Sequence, residues 1–187
     1  MFHPFKHLCT VINHKNKVFA LACKCGIPWQ GFTHDLSKFS PAEFIPGARY
    51  WNGHESPQVT ERKIYGYSAA WMHHKGRNKH HFEYWTDYVK GVGLTAIRMP
   101  VKYVAEMFCD RVAACKVYQG CKYTDRSALE YFDTSRKKYF INEETAELLR
   151  KLLLMLSLKG EDYTCSFIKE NLLKNGYDQN FDKEGLK

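Results

Sequence analysis

The apolar residues of this chain recur at helical spacing from end to end, and nowhere do they sustain the alternation of a β-strand. That periodicity confines the expected fold to the all-α class. The 187 residues suit a single domain, large enough to bury roughly 70% of the surface its unfolded chain exposes. No stretch approaches the roughly 20 consecutive apolar residues of a membrane span. With 44% hydrophobic and 15% aromatic residues the composition is that of a soluble globular protein.

Helix signals divide the chain. Pro4 near the first turn and Gly26 after the last periodic residue bracket a first helix that carries Leu8, Val11, Ile12, Phe19 and Ala22 inward, with His14 in its middle. After Ile27-Pro28 the pattern predicts a second helix holding His34, Asp35 and Lys38. Ser40-Pro41-Ala42-Glu43 has the form of a capping box and predicts a short helical turn. Residues 46–58, with Pro46, Gly47, Asn52, Gly53 and Pro57, read as a loop before a third helix from about Val59 to His74. Gly76 and Asn78 interrupt the pattern, Tyr84, Trp85 and Tyr88 resume it as a short helix, and Gly91 and Gly93 break that. Pro100 then opens a helix reaching Gly120, with Val104, Met107, Phe108, Val112 and Cys115 on its apolar side and Asp110 among them. Asn142 is the expected N-cap of a later helix, Leu148 to Leu158 a core run, and Gly176 the stop of the helix containing Phe167 and Leu172. The reading is one helical domain over residues 1–178 and a frayed tail over 179–187.

The net charge of +8 and the sequence pI of 9.1 favour an anionic partner. The cations are dispersed, with no block of five, so a nucleic-acid-binding arm is not evident. The first 25 residues lack a continuous apolar h-region, and the seven cysteines are an odd number. Cys9, Cys109, Cys115 and Cys165 sit in apolar helical patterns as small hydrophobes, and Cys23-x-Cys25 without a second pair is weak evidence for zinc. The expectation is a reduced protein of the cytoplasm.

Chemistry concentrates in His34-Asp35-Leu36-Ser37-Lys38, preceded by His14 and followed by the run from His73-His74 to His80-His81 and by Asp110. Imidazoles and carboxylates together suit Fe, Mn, Ni, Co or Zn. Adjacent helical residues diverge by about 100°, so His34 and Asp35 can straddle a metal, with Asp35 able to bridge two. Lys38 follows at three and four residues, on the same helical face, and can neutralise a phosphate held there or merely pair with Asp35. Asp110 lies between Met107 and Val112 on an apolar helix, where a carboxylate without a partner is costly to bury.

The order His14, His34-Asp35, Asp110 resembles the HD-domain superfamily of metal-dependent phosphohydrolases, an all-α fold whose ligands run H, HD, D. The His34–Lys38 string is similar to the HD-x-x-K form of several branches, and Glu106 to Ala114 resembles the helix that supplies the last Asp. The likeness covers roughly residues 14–118, and the whole chain is similar to an uncharacterised bacterial family with this HDLSK motif. The resemblance implies one or two divalent transition-metal ions, held by His14, His34, Asp35 and Asp110 and, as in two-metal branches, by His73 or His74 and His80 or His81. It implies hydrolysis of a small phosphorylated compound by metal-activated water, with Asp35 and Lys38 catalytic and Lys38, Lys75 and Arg77 holding the phosphate. One alternative is an HD-like di-iron oxygenase. Another is a non-catalytic nucleic-acid-binding module using the aromatic and basic stretch from Trp71 to Trp85, whose aromatics are otherwise core.

Overall fold

The computed structural model describes residues 2–177, and the expected tail over 179–187 lies outside them. Among the described residues the architecture is mostly helical: α1 Pro4–Lys24, α2 Pro28–Thr33, α3 Pro41–Tyr50, α4 Pro57–Tyr65, α5 Ala69–Lys75, α6 Val101–Gln119, α7 Ser127–Ser135, α8 Glu143–Lys159 and α9 Glu161–Phe167. A π-helical turn over Ile168–Leu172 joins α9 to the single turn α10, Leu173–Asn175, and Gly176 at φ 71° ends it. No described helix is long and apolar enough to cross a membrane.

Helix α6 is central. Val104, Phe108, Cys109 and Val112 on it are fully buried against Leu149, Leu152, Leu153 and Leu156 of α8, with Phe132 of α7 and Ile168 and Leu172 closing the core. On its other side α6 packs against α1, which in turn carries α2 and α3. Asn142 caps α8, its side chain accepting from the Thr145 backbone N–H as the sequence predicts. Within the Leu148–Leu158 run Leu148, Leu149, Leu152, Leu153, Met155 and Leu156 are core, whereas Leu154 is half-buried and Arg150, Lys151 and Leu158 are exposed.

Several expectations fail for identifiable reasons. The buried stripe of α1 is His7, Val11, His14, Val18, Leu21 and Ala22, whereas Ile12 and Phe19 are exposed. Two histidines thus occupy core-facing positions that an apolar count assigns elsewhere. Residues 46–50 are helical despite Pro46, because packing at Gly47 and Ala48 outweighs the lost hydrogen bond. Gly47 lies so close to the His7 ring that a Cβ there would collide with Nε2. The expected helix from Val59 to His74 is two helices, separated where Gly66 adopts φ 79° and Ser68 caps α5 by accepting from the Trp71 N–H.

The segment read as a short helix around Tyr88 is a β-hairpin, Thr86–Val89 (β1) antiparallel to Gly93–Ala96 (β2), with Thr86 opposite Ala96 and Val89 opposite Gly93. Gly91 at φ 85° and Gly93 at φ 99° supply the left-handed backbone of its turn. The glycines read as helix breakers are therefore hairpin formers. Only Phe82–Tyr84 keeps a 3₁₀ turn. Cys9 is exposed and Cys115 half-buried, while Cys25 is fully buried with its Sγ 3.1 Å from Cys165 Sγ.

Burial, and then the charge of Lys38, lower the pKa of His7 from 6.5 to about 4. Between those values the unfolded chain takes up a proton that the folded one refuses, so stability rises with pH across this window and falls on acidification. His7 Nδ1 has no hydrogen-bond partner, so His7→Phe leaves no polar group unsatisfied. Urea denaturation at pH 7 and pH 5 is expected to show a smaller acid-induced loss in His7→Phe than in wild type.

Candidate metal centre

The sequence predicts a continuous helix through His34, Asp35 and Lys38; instead α2 stops at Thr33. Lys15 of α1 donates its ammonium to the carbonyls of Phe32 (2.7 Å) and His34 (2.8 Å), which satisfies the end of α2. Asp35 then steps into the left-handed region at φ 54°, ψ 27°, the sole non-glycine residue with positive φ among those described. For an L-residue this costs about 1–2 kcal/mol, least for Asn and Asp, whose short polar side chains bond locally. A 3₁₀ turn, Leu36–Phe39, follows.

That step, in place of a helical 100° rotation, brings both side chains to one centre. His34 Nε2 lies 3.2 Å from Asp35 Oδ2 and 3.6 Å from Asp110 Oδ1 of α6, and His14 Nε2 of α1 lies 3.0 Å from the same Asp110 oxygen. From the other side His74 Nε2, at the end of α5, is 3.2 Å from Asp35 Oδ1, and His80 Nε2 is 3.5 Å from it. His81 packs its ring 4.1 Å from that of His80 and 4.7 Å from that of His74. Besides a cluster of His34, His80 and Glu106, two groups of potential ligands meet here, His14, His34, Asp35 and Asp110 in one and Asp35, His74, His80 and His81 in the other, the donor atoms of each lying within 4.8 Å of one another. Asp35 belongs to both.

Buried carboxylates behind the rings fix their orientation. Glu106, one turn before Asp110 on α6, accepts from His34 Nδ1 (3.1 Å) and His80 Nδ1 (3.0 Å). Glu43 of α3 meets His74 Nδ1 at 2.7 Å and His73 Nδ1 at 2.6 Å. With Nδ1 engaged, Nε2 is left for the centre, the arrangement that carboxylates impose on metal-ligating histidines. His34, His74 and His80 are each 1% exposed. Yet His34 Nε2, His80 Nε2, His81 Nε2 and both Asp35 oxygens are buried without an aligned hydrogen bond. Lys38 Nζ reaches Asp35 Oδ2 at 2.6 Å as an ion pair lacking that alignment.

Charge accounts for the titration behaviour. Burial opposes ionisation of Asp35 and Asp110, but His34, Lys38 and His74 around the first, and His14 and His34 around the second, hold both carboxyls well below their usual range. Burial, then the charges of His80 and His74, keeps His81 well below the ordinary histidine value; burial likewise lowers His14. His34 and His74 are raised in spite of burial because Asp35 attracts their protons. Buried anionic oxygens and orphaned imidazole nitrogens are donors that could hold a divalent metal, and these His/Asp/Glu clusters fit one.

The centre opens on a cavity of about 720 Å³ whose walls include His7, Lys38, Trp71 and Tyr118. Lys75 and Arg77 are not among its lining residues; Arg77 is exposed and donates to the His73 carbonyl. His73 is half-buried and belongs to neither ligand group, held by Glu43 alone. Of the aromatic stretch, Phe82 is buried beside Tyr139, Trp85 packs on Tyr103 and Trp71 on His81, so much of it is spent on packing. Sequence reasoning missed Glu106, Glu43 and Lys15. Glu106 had a signal, its i, i+4 spacing to Asp110 on an apolar helix. Glu43 was read as half of a capping box, but Ser40 makes no side-chain cap bond and Glu43 turns to the histidines.

The model of a family of unknown function, DUF5662, matches residues 3–155, most of the chain and every ligand candidate. The chain belongs to this family. No curated protein and no solved structure matches it.

Because Glu106 orients two ligand rings at once, Glu106→Gln is expected to weaken divalent-metal affinity about 10–100-fold with helix content unchanged. Competition against a chromogenic chelator measures it, and unchanged affinity would show that Glu106 does not support the centre.

Proposed function

We propose that this DUF5662 member is a metal-dependent phosphohydrolase of a small phosphorylated compound, resembling the HD-domain enzymes in the order and placement of its ligands. One observation carries the reading: three buried histidines have Nδ1 tied to carboxylates and Nε2 turned toward one aspartate whose oxygens lack aligned hydrogen bonds. His14, His34, Asp35 and Asp110 would hold one ion, and Asp35, His74, His80 and His81 a second. The mixed N/O donor set suits Fe, Mn, Co, Ni or Zn. When bound, such an ion supplies Lewis acidity and a water of lowered pKa.

The chain's own groups do the rest. Glu106 and Glu43 keep the imidazole rings from rotating, so the donor set is organised in advance. Burial disfavours the charged form of Lys38, but Asp35 and Asp110 outweigh that and keep the ammonium protonated. Placed on the cavity wall, this fixed positive charge meets the oxygens of a phosphoryl group and stabilises the charge that develops on them.

The test is release of inorganic phosphate from p-nitrophenyl phosphate and from a panel of phosphorylated metabolites, under anaerobic conditions with Mn²⁺ or Zn²⁺. Turnover is expected to stop on chelation and return on adding metal. Lys38→Met is expected to lower kcat by about 10²-fold with metal content retained. Chelator-resistant turnover, or none with any phosphoester, would contradict the reading. The sharing of Asp35 between two ligand groups also suits a di-iron oxygenase, which would consume O₂ when loaded with iron and release no phosphate.

A further inference from the structure

Arg111 follows Asp110 on α6 and lines the same cavity. Its guanidinium lies over two rings, with Cζ 5.4 Å from the Phe132 centroid and 5.3 Å from that of Tyr139. Its Nε is buried without a hydrogen-bond partner, and no described residue ion-pairs with it. Arg98, Arg126, Arg136 and Arg150 ion-pair with Glu144, Glu130, Glu143 and Asp133, while Arg49, Arg62 and Arg77, which have no described ion pair, are exposed. Glu83, whose Oε2 is also buried without a hydrogen-bond partner, does not ion-pair with it. Burying the Nε of a guanidinium with no acceptor is costly. Stacked on aromatic rings, its planar fork is preorganised to take a carboxylate or a phosphate through two parallel bonds.

Arg111 is also distinct in place from the cation at the metal centre. Lys38 Nζ pairs with Asp35 at the ligand cluster, whereas the Arg111 guanidinium lies over Phe132 and Tyr139. Both cations line one cavity, Lys38 already paired with Asp35 and Arg111 with no described ion-pair partner.

Building on the phosphohydrolase reading, we propose that Arg111 anchors a second anionic group, so that the substrate is a phosphomonoester carrying a carboxylate or a further phosphate on a short linker. One anion sits at the ligand cluster beside Lys38, and the other takes the guanidinium fork. The aromatic floor of Phe132 and Tyr139 sets the plane of that fork.

Calorimetry on the full chain reconstituted with Mn²⁺ or Zn²⁺ tests this, with propylphosphonate, 3-phosphonopropionate and propane-1,3-bisphosphonate as probes. At least one doubly functional probe is expected to bind about 10-fold tighter than propylphosphonate, and the better of the two identifies the second group. That ratio is expected to collapse to near one in Arg111→Gln and to be partly kept in Arg111→Lys, both variants holding wild-type metal content and helical circular dichroism. Equal affinities in wild type, or a ratio intact in Arg111→Gln, would overturn the anchor and leave the phosphohydrolase reading standing. If none of the three binds the metal-loaded protein, the phosphohydrolase reading itself falls.

Discussion

Four carboxylates, Asp35, Glu43, Glu106 and Asp110, crowd into a helical interior together with the imidazoles of His14, His34, His74, His80 and His81. Removing that many acids from water is tolerable only if positive charge and hydrogen bonds answer each of them. Glu43 and Glu106 are answered by ring N–H groups. Asp35 and Asp110 are answered by Lys38, by His14 and by protons drawn onto His34 and His74, positions where a divalent cation would serve better. Helices far apart in sequence are arranged around this demand: α1 brings His14, α5 brings His74, and α6 brings Glu106 and Asp110 on one face.

The backbone makes concessions to the same end. Asp35 accepts a left-handed conformation, Lys15 spends its ammonium on the carbonyls that α2 leaves open, and Gly47 yields its Cβ space to the His7 ring. Local conformational cost at a cluster of polar side chains is characteristic of a functional site held in shape by the packing around it. Here that packing is the α6–α8 core, which is apolar and independent of the ligands. The scaffold and the site thus meet along one helix, whose one face is Phe108 and Val112 and whose other is Glu106 and Asp110.

Much of this was legible in the sequence. Helical periodicity and the caps at Pro4, Pro100 and Asn142 mark the long helices, because those signals are local. The set His14, His34, Asp35 and Asp110 was legible as a chemical pattern, and His74, His80 and His81 as candidates. The choice of His74 over His73 was not, since it depends on which ring Glu43 turns inward, a contact between helices 30 residues apart. The break before His34 was equally hidden, for it rests on a φ value and on Lys15, 19 residues upstream. The hairpin escaped because its exposed Tyr88, Val92 and Leu94 lack strand alternation, and its glycines read equally well as helix breakers. Arg111 carries no local sequence signal, since its place depends on the cavity and on the Phe132 and Tyr139 rings beneath it.

The central claim is that these side chains bind divalent transition metal. Inductively coupled plasma mass spectrometry of the reconstituted, desalted protein tests it most directly, with Asp35→Ala as the comparison. The account predicts one to two equivalents of metal in wild type and loss of both ligand groups' metal in the variant, because Asp35 is common to them. Metal-free wild type after reconstitution, or undiminished metal in Asp35→Ala, would contradict it.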